Sequence, residues 1–488
     1  MRFFDTLKRS PRGGRFFVFL CFTYGAGSAI IWGQGGEKME QIQAKGKKFT
    51  DSRGGEVLLH GLNLVSKSRD EGYLPQCGEE DFRWMAQQGF NLLRLGVQWD
   101  GAEPEPGRFD RAYLARLRSL AETAGKYGLS VMLDMHQDLY SVRFADGAPE
   151  WATMTDGLPH VTGEVWSDAY LYSPAVSRAL DHFWADDPAP DGKGLQEHFA
   201  AMWRETADAF RGCENLLGFD FFNEPFPGGS GQQALACMLE TAARETGYSE
   251  ETLMEILSKR EELLRLLSDR TLFEKIVAAA RGVCAAFERE KLQPMYQRVY
   301  DNLPEWAHGK IAMMESCYFS NMGVESAVER LENAPLQGYA PHGYDLTVDT
   351  SMDNAYSPER VRAIFAAHRR VQERLNLPVL VGEWGAFYGN PSDEPAARQT
   401  ARIFEQYGWS DAYWAWVPSM RGQDCMEGLR RGYPQRVGGS LREYRWTRED
   451  GFWMRYQSDG TPCRIYLPGK GVLEIARPAG EAEIRIAD

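Results

Sequence analysis

The chain has 488 residues, with 69 Asp and Glu against 55 Lys and Arg, a formal net charge of −14. At 43% hydrophobic and 25% charged it is too apolar for a disordered chain, and its acidic balance excludes a general nucleic-acid binder, whose affinity rests on Lys and Arg at phosphates. The length allows one barrel-sized domain and a smaller one, while 14 Trp and 21 Tyr supply aromatic surface for a core or for a sugar site.

Residues 1–38 read as a leader. Arg2, Lys8, Arg9, Arg12 and Arg15 precede an apolar run from Phe16 to Tyr24, and small residues follow from Gly25 to Ala29. This resembles a secretory signal and predicts secretion. The run is too short for a membrane span. A start at Met39 is the alternative, with Gly36-Glu37-Lys38 as translated ribosome-binding sequence, and it predicts a cytoplasmic protein. The eight cysteines contain no C-x-x-C pair, and their scatter fits a reducing interior slightly better than a disulfide scaffold.

Eight short apolar runs follow at 57–63, 90–97, 129–135, 216–222, 309–315, 335–341, 378–384 and 411–417. Near-continuous apolarity marks strands buried on both faces. Helical patterns lie between them at 79–88, 109–127, 196–210 and 358–375. The alternation predicts an α/β fold, a (β/α)8 TIM barrel spanning 39–421. Insertions at 137–195 and 226–300 are expected on the barrel's C-terminal face, the second with a charged helical stretch over 250–290. After residue 421 short alternating runs separated by Gly, Pro and Asp predict a small antiparallel β-sandwich domain over 422–488.

Two glutamates end apolar strands. Glu224 lies in Asn223-Glu224-Pro225 and Glu383 in Gly382-Glu383-Trp384-Gly385. Both fall where barrel enzymes place their chemistry, on the fourth and seventh strands of the count. A facing pair of carboxylates is the equipment for glycosidic cleavage, one as acid/base and one as nucleophile. Asn223 is placed to donate to a sugar hydroxyl. Arg94 and Tyr344 are placed to keep a nucleophile ionised. Glu315, at the end of the fifth strand, is a third carboxylate, expected to bind sugar or to be structural.

The ordered set of Arg94, His136, Asn223-Glu224-Pro225, His342, Tyr344, Glu383-Trp384-Gly385 and Trp416 resembles the retaining glycoside hydrolase family 5 over roughly 57–420. The strings His60 to Lys67, Leu133 to Ser141 and Tyr433 to Val437 resemble its endoglycoceramidase branch. The resemblance implies that Glu224 is the acid/base and Glu383 the nucleophile. It implies that Arg94, His136, Asn223, His342 and Tyr344 support them, that Lys67 and Asp138 bind sugar hydroxyls, and that Trp416 forms a sugar platform. Trp184, in the first insertion with Trp151 and Trp166, is expected to contact sugar or lipid. The stretch 232–283 is longer than the resemblance leads one to expect, and bears on the aglycone side.

The implied activity is hydrolysis of the β-glycosidic bond between oligosaccharide and ceramide in glycosphingolipids. A related endo-β-glucanase acting on a polysaccharide is the second reading, and a non-catalytic glycan- or lipid-binding barrel the third. Retention of both glutamates and their supporting residues argues against the third. No H-E-x-x-H, EF-hand, P-loop or G-x-S-x-G pattern occurs, so no metal or cofactor is expected. The expected partners are a glycosphingolipid or oligosaccharide and, transiently, a membrane or micelle surface. The protein is expected to be a monomer.

Overall fold

The computed structural model describes residues 21–24, 27–31, 41–348, 350, 356–387 and 393–487. Most of the signal-like leader, at 1–20 and 32–40, lies outside them.

Eight parallel strands form a barrel: β1 His60–Leu64, β2 Leu92–Gln98, β3 Ser130–His136, β4 Leu216–Asp220, β5 Ile311–Met314, β6 Gln337–Tyr339, β7 Leu380–Val381 and β8 Ser410–Tyr413. Neighbours follow in chain order. β8 pairs with β1 through Ala412 and Gly61, and a bridge between Tyr339 and Val379 joins β6 to β7, so no edge is left open. All eight expected strands are present. The expected strand over 378–384 divides at Gly382, where Glu383–Trp384 leaves β7 and pairs with His342–Gly343. At Gly218 a Cβ would sit 2.0 Å from the Ile311 carbonyl oxygen, so the approach of β4 to β5 requires glycine.

The inward face of the strands changes character with height. Leu92, Met132, Ile311, Leu380 and Ala412 share an apolar cluster with Phe49 and Val57 of the preceding segment. Two residues further on, the side chains sharing those faces are Arg94 and Asp134. The period of two thus turns an apolar floor into an ionic layer within one strand repeat.

The helices pack outside. In Arg111–Gly125 the Asp110 carboxylate caps the first turn by accepting the N–H of Ala112 and Tyr113. Leu114, Leu117, Ala121 and Ala124 form its buried stripe. Trimming Leu117 to Ala would cost about 2–5 kcal/mol. The second insertion forms helices from Ser230–Thr246 through Gln293–Asn302. It is fastened to the barrel: the buried Glu288 carboxylate accepts from Cys317 N, Ser326 Oγ and Ala327 N, and Arg360 donates to the Leu264 carbonyl at 3.2 Å.

The C-terminal region is a two-sheet sandwich. One sheet contains Tyr433–Val437, Cys463–Leu467 and Gly471–Ile475, and the other Gly439–Thr447, Gly451–Ser458 and Gly480–Ile486. Their facing side chains, among them Tyr433, Leu441, Met454, Ile465 and Ile484, make one core. The first sheet also takes in Gln43–Lys45, Lys48–Thr50 and Glu56–Val57, with Arg436 opposite Val57. At its other edge stand Gly27–Ile31 and Cys21–Tyr24. The sandwich meets the barrel through a buried ion pair of Arg431 with Asp411, while a second buried pair, Arg436 with Asp51, ties the first sheet together.

Candidate active site

Arg94 organises the centre of the ionic layer. It is fully buried, and all five of its N–H groups find acceptors. Nε donates to Asp220 at 3.0 Å. Nη1 donates to Glu383 Oε1 at 2.7 Å and to Asn63 at 3.0 Å. Nη2 donates to Asp134 and Glu315 at 2.8 Å and to Asn223 at 3.0 Å. The guanidinium therefore fixes Glu383 and Asn223 relative to one barrel wall.

Glu224 follows β4 with φ of 47°, a left-handed conformation that a non-glycine residue holds only when its surroundings enforce it. They do. Its N–H donates to Glu315 Oε2 at 2.8 Å, and Gln137 Nε2 donates to the carbonyls of Asn223 and Glu224 at 2.7 and 3.2 Å. Glu224 Oε1 receives Asn321 Nδ2 at 2.7 Å and lies 3.0 Å from His342 Nδ1. Glu383 Oε2 receives the Tyr344 hydroxyl at 2.8 Å. His342 lies between the two glutamates, and one oxygen of each is within 4.8 Å of the other. Only glycine at 382 admits this: a Cβ there would stand 2.7 Å from His342 Nε2.

The electrostatics are those of two cations facing five carboxylates. Burial opposes a charge on His342, but Glu315, Glu383 and Glu224 raise it well above its usual range, so the imidazole is held as imidazolium. Its Nε2 lies 3.2 Å from Glu315 Oε1 as an ion pair rather than an aligned hydrogen bond. Burial pushes Glu383 up to about 7 and Glu315 up to about 8, against the pull of His342 and Arg94. The donors on the two catalytic candidates differ. Glu383 has one on each oxygen. Glu224 has both on Oε1, which leaves Oε2 without a hydrogen-bond partner among the described residues.

A polar wall adjoins them. Lys67 is ion-paired with Asp138, with Asp146 at 4.0 Å. Burial alone would lower Lys67, but the two aspartates outweigh it and raise it, while burial and Asp138 push Asp146 up to about 8. His136, Asp138 and Asp146 are close enough to share a cation, and the Lys67 ammonium supplies one. His136 Nδ1 meets Asp134 at 2.9 Å, and its buried Nε2 has no hydrogen-bond partner among the described residues. Burial first, then Lys67, pull its pKa well down, so it is a neutral imidazole with Nε2 as an acceptor. Asn223 uses one amide hydrogen on the Gln137 carbonyl at 3.1 Å and keeps a second for a ligand.

Two expected aromatic contacts change. Trp184 is buried among Phe183, Phe222 and Phe287 and donates to the Phe226 carbonyl at 2.8 Å. With Pro227, Ser230 and Phe287 it also lines a cavity of about 520 Å³ whose lining includes neither Glu224 nor Glu383. It supports the chain beyond Glu224 rather than facing sugar. Trp416 is buried against Trp84 and beneath Arg421. The indole at the polar wall is Trp414, stacked on His136 at 5.1 Å and 4.8 Å from Lys67 Nζ, with Trp166 at 5.9 Å from the same ammonium. Glu315 proves to be structural in its contacts, holding Glu224 and Arg94. Asp134, Asp220, Asn63 and Asn321 join the site without having been anticipated. The two aspartates could have been found as charges inside otherwise apolar barrel strands.

A family model for Cellulase (glycosyl hydrolase family 5) matches residues 50–419. An endoglycoceramidase of Cyanea nozakii is 30% identical over 216 residues, 38% of this chain and 42% of that protein. Endoglycoceramidase I of Rhodococcus hoagii is 33% identical over 192 residues, 38% of this chain and 37% of that one. The chain thus aligns with about two fifths of the length of these curated relatives. The solved structure of endo-glycoceramidase II from Rhodococcus sp. superposes with a TM-score of 0.70 at 25% identity, over 89% of this chain and 98% of that one. With a family match across the whole barrel, the chain belongs to glycosyl hydrolase family 5.

Proposed function

We propose that the protein is a retaining endo-glycosidase that releases intact oligosaccharide from glycosphingolipids. The observation that carries the chemistry is that one oxygen of Glu224 lies within 4.8 Å of one oxygen of Glu383, which fits the close pairing that direct attack on the anomeric carbon needs. Glu383, with Arg94 and Tyr344 donating to it, attacks the anomeric carbon. Glu224 protonates the glycosidic oxygen, and ceramide leaves as the alcohol. The sugar is then an ester of Glu383. Glu224, now ionised, takes a proton from water, whose oxygen attacks the same carbon and frees Glu383. Similarity to the endoglycoceramidases supports the lipid side of the reading, and one structure of the Rhodococcus enzyme is a complex with ganglioside GM3.

The test is incubation of the purified protein with a ganglioside, a neutral glycosphingolipid and a soluble β-glucan. Release of free oligosaccharide and ceramide is expected. Cleavage of the glucan alone would overturn the lipid assignment.

A further inference from the structure

Among the described residues five large apolar side chains are exposed: Leu158, Val161, Trp166, Tyr172 and Tyr248. Four of them fall within one stretch of the first insertion, although that insertion also contributes a dense aromatic core. Scattered single exposures are ordinary on a protein surface, whereas a local concentration marks a contact.

The stretch folds back on itself. Ala175 N donates to the Pro159 carbonyl at 3.2 Å, and Val161 N and His160 Nδ1 both meet Ser173 Oγ, at 3.2 and 2.9 Å. Leu158 and Val161 are thereby held beside the turn that carries Tyr172. The same stretch reaches the active site. Trp166 packs on Tyr170 at 6.3 Å, Tyr170 stacks on Phe226 at 4.7 Å, and Phe226 lies two residues beyond Glu224. The Tyr170 hydroxyl lies 3.2 Å from Gln137 Oε1, on the residue that holds the Glu224 carbonyl. The exposed apolar edge is therefore continuous with the chain that positions the acid/base.

The charge of the edge selects among surfaces. Residues 156–172 contain no Lys or Arg; Arg178 pairs with Asp156 and Arg260 with Asp168, which leaves Glu164 as the unpaired charge of the stretch on a chain that carries −14. That balance gives an anionic bilayer no attraction to offer, whereas a zwitterionic one presents no net field. Trp and Tyr beside aliphatic residues are suited to the headgroup boundary, where one end of the ring is apolar and the other wet.

We propose that Leu158, Val161, Trp166 and Tyr172 form a lipid-docking edge that seats the protein on a zwitterionic membrane surface beside its own cleft. This rests on the glycosphingolipid reading, because a substrate anchored by ceramide in a bilayer presents its glycan at that surface. The edge then lowers the search for such substrates to two dimensions and leaves soluble ones unaffected.

The test separates the edge from the substrate assignment. Wild type and the triple variant L158S/V161S/Y172S are floated with phosphatidylcholine vesicles that contain no glycolipid. Trp166 is left intact because it faces Lys67. Wild type is expected to float with the vesicles, and the variant's partition should fall about tenfold or more. On glycosphingolipid in the same vesicles the variant should lose activity to a similar degree, while its melting curve and its hydrolysis of a soluble aryl lactoside stay near wild type. If the triple variant melts early, Tyr172→Ser alone is compared in the same way. Wild type that does not float, a variant that floats equally, or a preference for phosphatidylserine vesicles overturns the proposal. Flotation lost in the variant with no glycosphingolipid cleaved by either protein would sustain the edge and sink the substrate reading. Cleavage of detergent-dispersed glycosphingolipid without vesicle binding would do the reverse.

Discussion

One oxygen of Glu315 accepts the backbone N–H of Glu224 at 2.8 Å while the other receives Arg94 at 2.8 Å, so a single side chain at the end of β5 links the acid/base to the guanidinium that holds the nucleophile. Replacing Glu315 by Gln keeps the shape but turns one acceptor into a donor facing a donor. We expect kcat to fall about 100-fold, the scale of a small misplacement of a reacting group, with KM for a short soluble glycoside little changed. A variant with normal kcat would make Glu315 irrelevant to the position of Glu224.

The two glutamates should separate by leaving group. Glu224→Ala should lose glycolipid hydrolysis by about 100- to 10,000-fold, yet still give a burst of phenolate from a dinitrophenyl lactoside, whose leaving group needs no proton. Glu383→Ala should give no burst on either substrate. A burst from Glu383→Ala in rapid-mixing experiments would reverse or void the assigned roles.

Glu383 must be ionised to attack, and burial pushes it up to about 7 against His342 and Arg94. The acid limb of kcat/KM, which reports the free enzyme, is therefore expected near pH 7, with activity lost as pH falls. Tyr344→Phe removes a donor that favours the carboxylate form, and the limb should move about one unit to higher pH. A pH–rate profile checks both the position and the sign of the move.

Asp411 links the barrel to the sandwich. It lies on β8, next to the inward-facing Ala412, with His60 at 2.9 Å, the Trp384 indole at 3.1 Å and the Arg431 guanidinium paired to it. Burial opposes its ionisation, but Arg431 and His60 outweigh burial and hold its pKa below the usual value. A depressed carboxyl stabilises the native state above its unfolded value near 3.8 and loses that contribution as pH falls through the native one. Arg431→Met leaves the charge buried and uncompensated, at a cost of about 3–5 kcal/mol near neutrality. The gap from wild type should narrow in acid, where Asp411 in the variant takes up a proton. Urea unfolding at pH 7 and pH 4 measures it.

The parts of this site that can be read from the chain are those that break a pattern. Glu224 and Glu383 interrupt apolar runs at their ends, and Pro225 stops the first ladder, so both are visible without coordinates. Asp134 and Asp220 break the same kind of run from inside, but their meaning depends on facing Arg94, and which residues of a barrel strand face inward is settled only by register. The choice between Trp414 and Trp416 is likewise one of register and local backbone, two residues apart on one short segment. Asn321 sits in the turn after β5, where spacing carries no signal. Trp184 looks like a ligand contact by its place in an insertion, yet packing against Phe183, Phe222 and Phe287 claims it for the core. Strands Lys48–Thr50 and Glu56–Val57 precede the barrel in order but belong to the sheet of the far end, a pairing that no local pattern announces.

That pairing sets an order on the life of the molecule. A ribosome delivers the segment 43–57 before the barrel and its ladder partner Tyr433–Val437 after it, so the edge beside Val57 waits for Arg436 until the barrel has been made. Until then the floor residues Phe49 and Val57 can plug the barrel, but the strand that carries Val57 has one bare side. The sandwich closes last and acts as a buckle, joining the first and last parts of the fold so that neither can peel away without opening the other.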